Sequence, residues 1–329
     1  MSRKPHLLAL SNVCRAAGRA LTRPLCRWLL SLSLLASVVL WVDVQALAAR
    51  LGALSPEWVA LALVVTVPQV VLSAWRWRLT ARHIGLSLPF RRAIGEYYLA
   101  TFLNQILPGG VSGDVGRAWR HGSDTASRGA ALRAVVIERA SGQFALALVA
   151  LSTLLVFTPL REGLSEVLRG VAPGPPVGIP GLAALGAVAF AVPALLIVSG
   201  REPRWLSTLR FDVRRSLWVG GLWRRQLTGS LLIVITYMLV FVCCARALGE
   251  DLSLATLLAL SPPVLMAMAI PLSVAGWGIR ESAAALVWIL AGLPAQQGVA
   301  ISVTYGAVVL VSSLPGAARL FFLRRRRTA

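Results

Sequence analysis

Three arginines, Arg117, Arg139 and Arg280, stand beside carboxylates in stretches that are otherwise largely apolar. Asp114 precedes Arg117 by three residues, Glu138 adjoins Arg139, and Glu281 adjoins Arg280. A guanidinium presents a forked set of donors that can hold a phosphate through two parallel hydrogen bonds. Asp114 and Arg117, at i,i+3, share one face if a helix begins there. Glycines lie close by, at Gly109-Gly110 and at Gly276 and Gly278. Exposed backbone N–H groups at such glycines can form an anion-binding concavity, reinforced by the positive end of a following helix. The chemistry this predicts is recognition of an anion, with the carboxylates balancing charge while the site is empty. Catalysis is not expected, because no nucleophile–base arrangement and no Gly-Lys-Ser/Thr phosphate loop is present. Cys14, Cys26, Cys243 and Cys244 show no metal-ligand spacing with His6, His83 or His121, so neither a metal nor a cofactor is expected.

The elements that carry these residues contain helix breakers. Ile94–Gly113 has the tip Asn104-Gln105-Ile106-Leu107-Pro108-Gly109-Gly110, and Leu254–Leu293 is interrupted at Ser261-Pro262-Pro263 and again from Pro271 to Gly278. Irregular backbone at membrane depth is tolerated only where protein buries it or water reaches it. The two breaks also resemble each other. Pro108, Val111, Ser112, Gly113 and Arg117 match Pro271, Val274, Ala275, Gly276 and Arg280 at a constant offset of 163 residues. This predicts an internal repeat, with halves near 57–158 and 227–322.

The surroundings of both breaks are those of a membrane protein. Hydrophobic residues make up 57% of the 329 positions and charged residues 14%, against about 25% charged in soluble domains. Mean hydropathy is +0.73. Six apolar runs are long enough to cross a hydrocarbon core: 28–49, 57–77, 134–158, 180–199, 227–247 and 297–322. The fold class expected is an all-α, polytopic transmembrane bundle of six spans plus two broken, re-entrant hairpins. A basic tail over 1–27 precedes it and a basic tail over 324–329 follows.

The net charge of +20 is distributed in a way that excludes nucleic acid as the partner. Of 33 basic residues, 27 fall in 1–27, 76–92, 113–139, 201–225 and 324–327, alternating with apolar runs. Short cytoplasmic loops collect Arg and Lys in this manner, which predicts an inner-membrane protein with both termini cytoplasmic. The lean loops near Arg50, Arg161–Arg169 and Arg246–Asp251 then face outward. On this topology the first hairpin enters from the cytoplasmic side and the second from outside, so the repeat is inverted. Paired broken helices from inverted repeats commonly build a transport site near the midplane. Trp75-Arg76-Trp77-Arg78 reads as an interfacial anchor, and 201–225 as an amphipathic segment on the membrane surface.

Three motifs in order resemble a known family. They are Asn104 through Gly110 with Gly113-Asp114 and Arg117; Val136-Ile137-Glu138-Arg139; and Pro271-Leu272-Ser273 with Gly276, Gly278 and Arg280-Glu281. Together they are similar to the transmembrane region of lysylphosphatidylglycerol synthases, a flippase-like membrane family, over roughly residues 30–323. The resemblance implies broken helices lining a lipid-head-group cavity. The substrate contacts it implies are Asn104, Gln105, Pro108, Gly109, Gly110, Gly113, Asp114, Arg117, Glu138, Arg139, Pro271, Gly276, Gly278, Arg280 and Glu281. It does not imply lipid aminoacylation, which belongs to a separate soluble domain. Trp277 departs from the pattern, where a smaller residue is expected, and is expected to narrow the cavity. The partners expected are membrane lipids with anionic head groups, together with envelope-biosynthesis enzymes. The rival reading is an integral-membrane enzyme or accessory subunit acting on polyprenyl- or lipid-linked substrates, with Asp114 or Glu281 as base.

Overall fold

The computed structural model describes residues 52–107, 110–125, 127–171, 204–268 and 276–328, and among these every regular element is helical. Four helical stretches are long and apolar enough to cross a bilayer: Pro56–Ile84, Arg128–Val156, Ser207–Ala247 and Ala295–Phe321. They correspond to four of the six expected spans. The other two, 28–49 and 180–199, lie outside the described residues, as does the N-terminal tail. The protein is a polytopic helical membrane bundle.

Helix α1 (Pro56–Ile84) shows how one sequence serves lipid and protein together. At about 1.5 Å per residue its 29 residues reach about 43 Å, beyond the roughly 30 Å of hydrocarbon. Its first half exposes Leu61, Val64 and Val67 at helical spacing, while its second half buries Gln69, Ser73, Arg76 and Thr80 along one face. Apolar burial gives little drive for helix association in lipid, so close packing and interhelical hydrogen bonds must supply it. The partner is α7 (Leu222–Ala247), where Gln226 donates to Thr80 Oγ1 at 2.9 Å and Arg76 donates to Ser230 Oγ at 2.5 Å.

After α1 the chain forms the first hairpin, α2 (Phe90–Ile106) and α3 (Ser112–Asp124), and then α4 (Arg128–Val156). Later it repeats the order. Helix α7 is followed by α8 (Leu254–Ala267), a break, α9 (Ile279–Leu290) and α10 (Ala295–Ser312). Ser253 caps α8 by accepting from the Thr256 N–H at 3.1 Å. Ser253→Ala is expected to cost about 1 kcal/mol, read as a small drop in the thermal unfolding midpoint in detergent.

The remaining elements brace these units. Helix α5 (Thr158–Val171) occupies the region expected as a lean loop, and packs on α9, where a Cβ at Gly163 would sit 2.0 Å from Leu290 O. Helix α6 (Arg204–Val213) and the turns that follow it, Arg214–Trp218 and Val219–Gly221, form the basic, Trp-bearing segment ahead of α7. Helix α11 (Leu314–Thr328) docks on α2, with Gly316 against Tyr98 O and Arg319 paired to Glu96 at 3.0 Å.

One expected interruption is absent. Pro262 and Pro263 lie inside a continuous α8 instead of breaking it. Proline removes a backbone donor and frees a carbonyl one turn earlier. Here Ser261 Oγ donates to Leu258 O at 3.4 Å, and Pro262 is buried against neighbouring helices. Such compensation lets membrane helices carry proline. Helix α8 ends at Ala267, and α9 begins beyond Gly276 and Gly278, whose φ values of 81° and 83° belong to the left-handed region.

Candidate functional site

The first break is closed by side chains from both of its flanks. Asn104, at the end of α2, accepts from the Gly113 N–H through Oδ1 at 2.7 Å and donates to Asp114 Oδ2 at 3.0 Å. One amide thus satisfies a donor in the first turn of α3, which would otherwise lack a partner, and orients the carboxylate beside it. Gly113 permits this closeness, since a Cβ there would lie 2.0 Å from Ala100 O. At the second break the cap is local. The Glu281 carboxylate accepts from the Gly278 N–H at 2.6 Å, as in the reciprocal half of a capping box.

Around the first break the structure assembles five charged groups. Arg117 donates to Asp114 Oδ1 at 2.9 Å and to Glu138 Oε2 at 2.7 Å. Arg139 donates to Asp114 Oδ2 at 2.6 Å, and Arg76 donates to Glu138 Oε1 at 2.5 Å. Tyr97 OH also donates to Glu138 Oε1, at 3.3 Å. Arg117 lies 4.6 Å from the centres of both the Trp77 and Tyr97 rings, an arrangement that stabilises a buried cation. Three guanidiniums face two carboxylates, so this network carries one excess positive charge.

Arg280 repeats the theme at the second break. It is fully buried, donates to Glu281 Oε1 at 2.6 Å and to Ser302 Oγ at 2.8 Å, and lies 5.1 Å from Trp277 and 5.6 Å from Tyr305. Trp277 therefore covers this cation, and the cavity wall nearby is formed by Gly276. The carboxylates of the enzymatic alternative are both engaged, Asp114 by two arginines and Asn104, and Glu281 by Arg280, Ser302 and its own helix cap.

Between the two breaks lies a cavity of about 160 Å³. Helices α1, α2 and α4 contribute Gln69, Ser73, Tyr97, Asn104, Gln105, Arg139 and Gln143. Helices α7, α8 and α10 contribute Tyr237, Leu265 and Tyr305, and Gly110 and Gly276 come from the breaks. Arg139 and Gln143, one turn apart on α4, face it together. Buried polar atoms nearly always find partners, yet Arg139 Nε and the side-chain oxygens of Gln69, Gln105 and Gln143 have none among the described residues. A glutamine amide offers a donor or an acceptor according to how it is turned, so these groups can serve an anion or a hydroxyl.

The structure thus brings Asn104, Gln105, Gly110, Arg139 and Gly276 to the cavity wall. Gly113, Asp114, Arg117 and Glu138 stand behind it in the ion-pair network, and Gly278, Arg280 and Glu281 form a separate buried cluster. Pro108, Gly109 and Pro271 lie outside the described residues.

Arg76 and Trp77, expected as an interfacial anchor, are instead buried. Arg76 is a member of the network, and Trp77 packs on Arg117 and, edge-on, on His121. The polar stripe Gln69, Ser73, Arg76 and Thr80, at helical spacing on an apolar helix, is the sequence signal for this. His121 donates through Nε2 to Ser87 O at 3.1 Å, and its burial lowers its pKa below the usual imidazole value.

Among the described residues no group of three His, Cys, Asp or Glu side chains is placed to hold a metal. Comparison with curated proteins returns no match. The sequence matches the family described as "Lysylphosphatidylglycerol synthase TM region" over residues 28–316, which includes both breaks and every cavity residue named above. The chain belongs to that family, among integral membrane proteins of lipid metabolism or transport.

Proposed function

We propose that this protein is a lipid translocase or lipid-transport protein of a bacterial inner membrane, with both termini cytoplasmic. It holds an anionic head group beside Arg139 and passes it across by alternating exposure of two inverted half-repeats. The observation that carries this reading is the cavity itself. Both halves of the chain line it, an ion-pair network with one excess positive charge backs it, and a guanidinium nitrogen and three glutamine oxygens beside it lack partners among the described residues. The repeated element order, with Arg117 and Arg280 each buried against two aromatic rings, supports the half-repeats.

Arg139 is the residue to test. It is the network arginine that reaches the cavity, and its side chain is more than a third exposed. A hydrogen bond to a charged group contributes about 1.5–3 kcal/mol, roughly 10- to 150-fold in an equilibrium constant. In reconstituted vesicles, Arg139→Gln is expected to slow translocation of a fluorescent phosphatidylglycerol at least tenfold while leaving the thermal unfolding midpoint within a few degrees. An unchanged rate would exclude Arg139 as the head-group ligand and remove the basis for the proposal.

A further inference from the structure

A second hollow adjoins the polar cavity and differs from it in chemistry. It measures about 320 Å³ and lies between α3 and α4, walled by Val111 and Val115 on one side and Leu132, Val135 and Val136 on the other. The two spaces share Arg139, Gln143, Gly110 and Met268, so they meet at the cation. Val115, Leu132 and Val136 are exposed at the helix surface. The groove therefore runs from an exposed apolar surface to Arg139, apolar along its walls and polar at its inner end.

We infer that this groove receives one acyl chain of the lipid whose anionic head group sits at Arg139, so that the ligand reaches the cavity sideways between α3 and α4. The inference rests on the head-group reading above and adds a subsite for the tail. Charge and polarity select the occupant. An inorganic anion would leave the apolar walls unused, and an uncharged hydrocarbon would leave the excess positive charge unanswered. An anionic amphiphile satisfies both at once. The volume fits a stretch of chain rather than a whole lipid, being roughly ten times the share of one water in the liquid, about 30 Å³.

Lipid tails are as apolar as the side chains that line the groove, so the groove adds little attraction of its own. Its effect is permissive. It keeps the tail in apolar surroundings while the head group enters the polar cavity, where the tail would otherwise lie against unpartnered polar atoms. Asp114 lies where groove and cavity meet and holds Arg139 at 2.6 Å. It is the built-in anion that an arriving phosphate displaces.

The test separates tail from head. Full-length protein in detergent is titrated with dioleoyl phosphatidylglycerol and, separately, with glycerol 3-phosphate at millimolar concentration, and bound ligand is counted by native mass spectrometry. Val136→Trp fills the groove from an exposed position. It is expected to weaken the long-chain lipid at least tenfold while retaining glycerol 3-phosphate within about twofold. Val115→Trp, on the opposite wall, should give the same split and serves if the first variant unfolds on heating well below wild type. Arg139→Gln should lose both ligands.

Unchanged lipid binding in the tryptophan variants, or equal loss of both ligands in them, would overturn the groove assignment and leave the head-group reading intact. Wild-type protein that binds neither ligand would overturn both.

Discussion

Glu138→Ala is expected to destabilise the protein by about 3–5 kcal/mol, the usual result of leaving a buried charge without its counter-ion. The reason lies in how many groups converge on this one side chain. Its Oε1 accepts from Arg76 and Tyr97 and its Oε2 from Arg117, and it is fully buried. Without it, the hydrogen-bond partners left among the described residues are Ser230 and a backbone carbonyl for Arg76, and Asp114 for Arg117. The network then carries an excess of two positive charges in a medium that solvates them poorly. Thermal unfolding in detergent should drop by about 10 °C. Glu138→Gln, which preserves shape and one acceptor, should fall between the two. A midpoint for Glu138→Ala within a degree of wild type would mean that water reaches these arginines and that the network is not a buried one.

Gly113→Val is the second large effect, and its origin is steric. The first added carbon would stand 2.0 Å from a main-chain oxygen of α2. Main chain in a packed helix cannot yield as a flexible side chain can, so α3 must move. That movement pulls the Gly113 N–H from Asn104 Oδ1 and Asp114 from Asn104 Nδ2, and loosens the hold of Asp114 on Arg139. Overpacking alone costs about 1–3 kcal/mol, and the lost hydrogen bonds add to it. Folded protein that survives should bind anionic lipid far more weakly than wild type. A Gly113→Val protein with wild-type stability and lipid binding would show that the two half-helices are less tightly joined than the structure has them.

Much of the architecture is legible in the sequence because membranes impose few solutions. Run length identified the four crossing stretches, and the second break is marked by Gly276 and Gly278 as expected. Spacing alone pairs Arg117 with Arg280, and each is a buried cation flanked by aromatic rings.

What the sequence hides is partnership. Trp75-Arg76-Trp77-Arg78 has the composition of a head-group anchor, but the partners of Arg76 are 62 and 154 residues away, and no local pattern reports them. Pro262-Pro263 looks like an interruption because the serine and the packing that compensate it are not visible as a pattern. The distinction between Arg139, which reaches the cavity, and Arg117, which stands behind it, depends on which way α3 and α4 turn their faces. The approach at Gly113 seats α3 against α2, and residue type does not report it.

The distances along the chain between partners bear on how the protein is made. The Arg76–Glu138 pair spans 62 residues, and Arg117–Asp114 and Arg280–Glu281 join near neighbours. At about 5–20 residues per second, Arg76 waits about 3–12 s on the ribosome for its carboxylate. Its contact with Ser230, 154 residues on, comes about 8–30 s after its own synthesis. The deeply buried ion pairs therefore all close within one half of the chain, whereas the seam between α1 and α7 joins through the uncharged Ser230 and Gln226. Arg319, the ionic partner of Glu96 that arrives last, is partly exposed, and Glu96 already holds Arg120 by then. Among the described residues, the later half then adds hydrogen bonds through Ser230 and Gln226 and two partly exposed ion pairs, Arg133–Asp212 at 2.6 Å and Arg319–Glu96 at 3.0 Å.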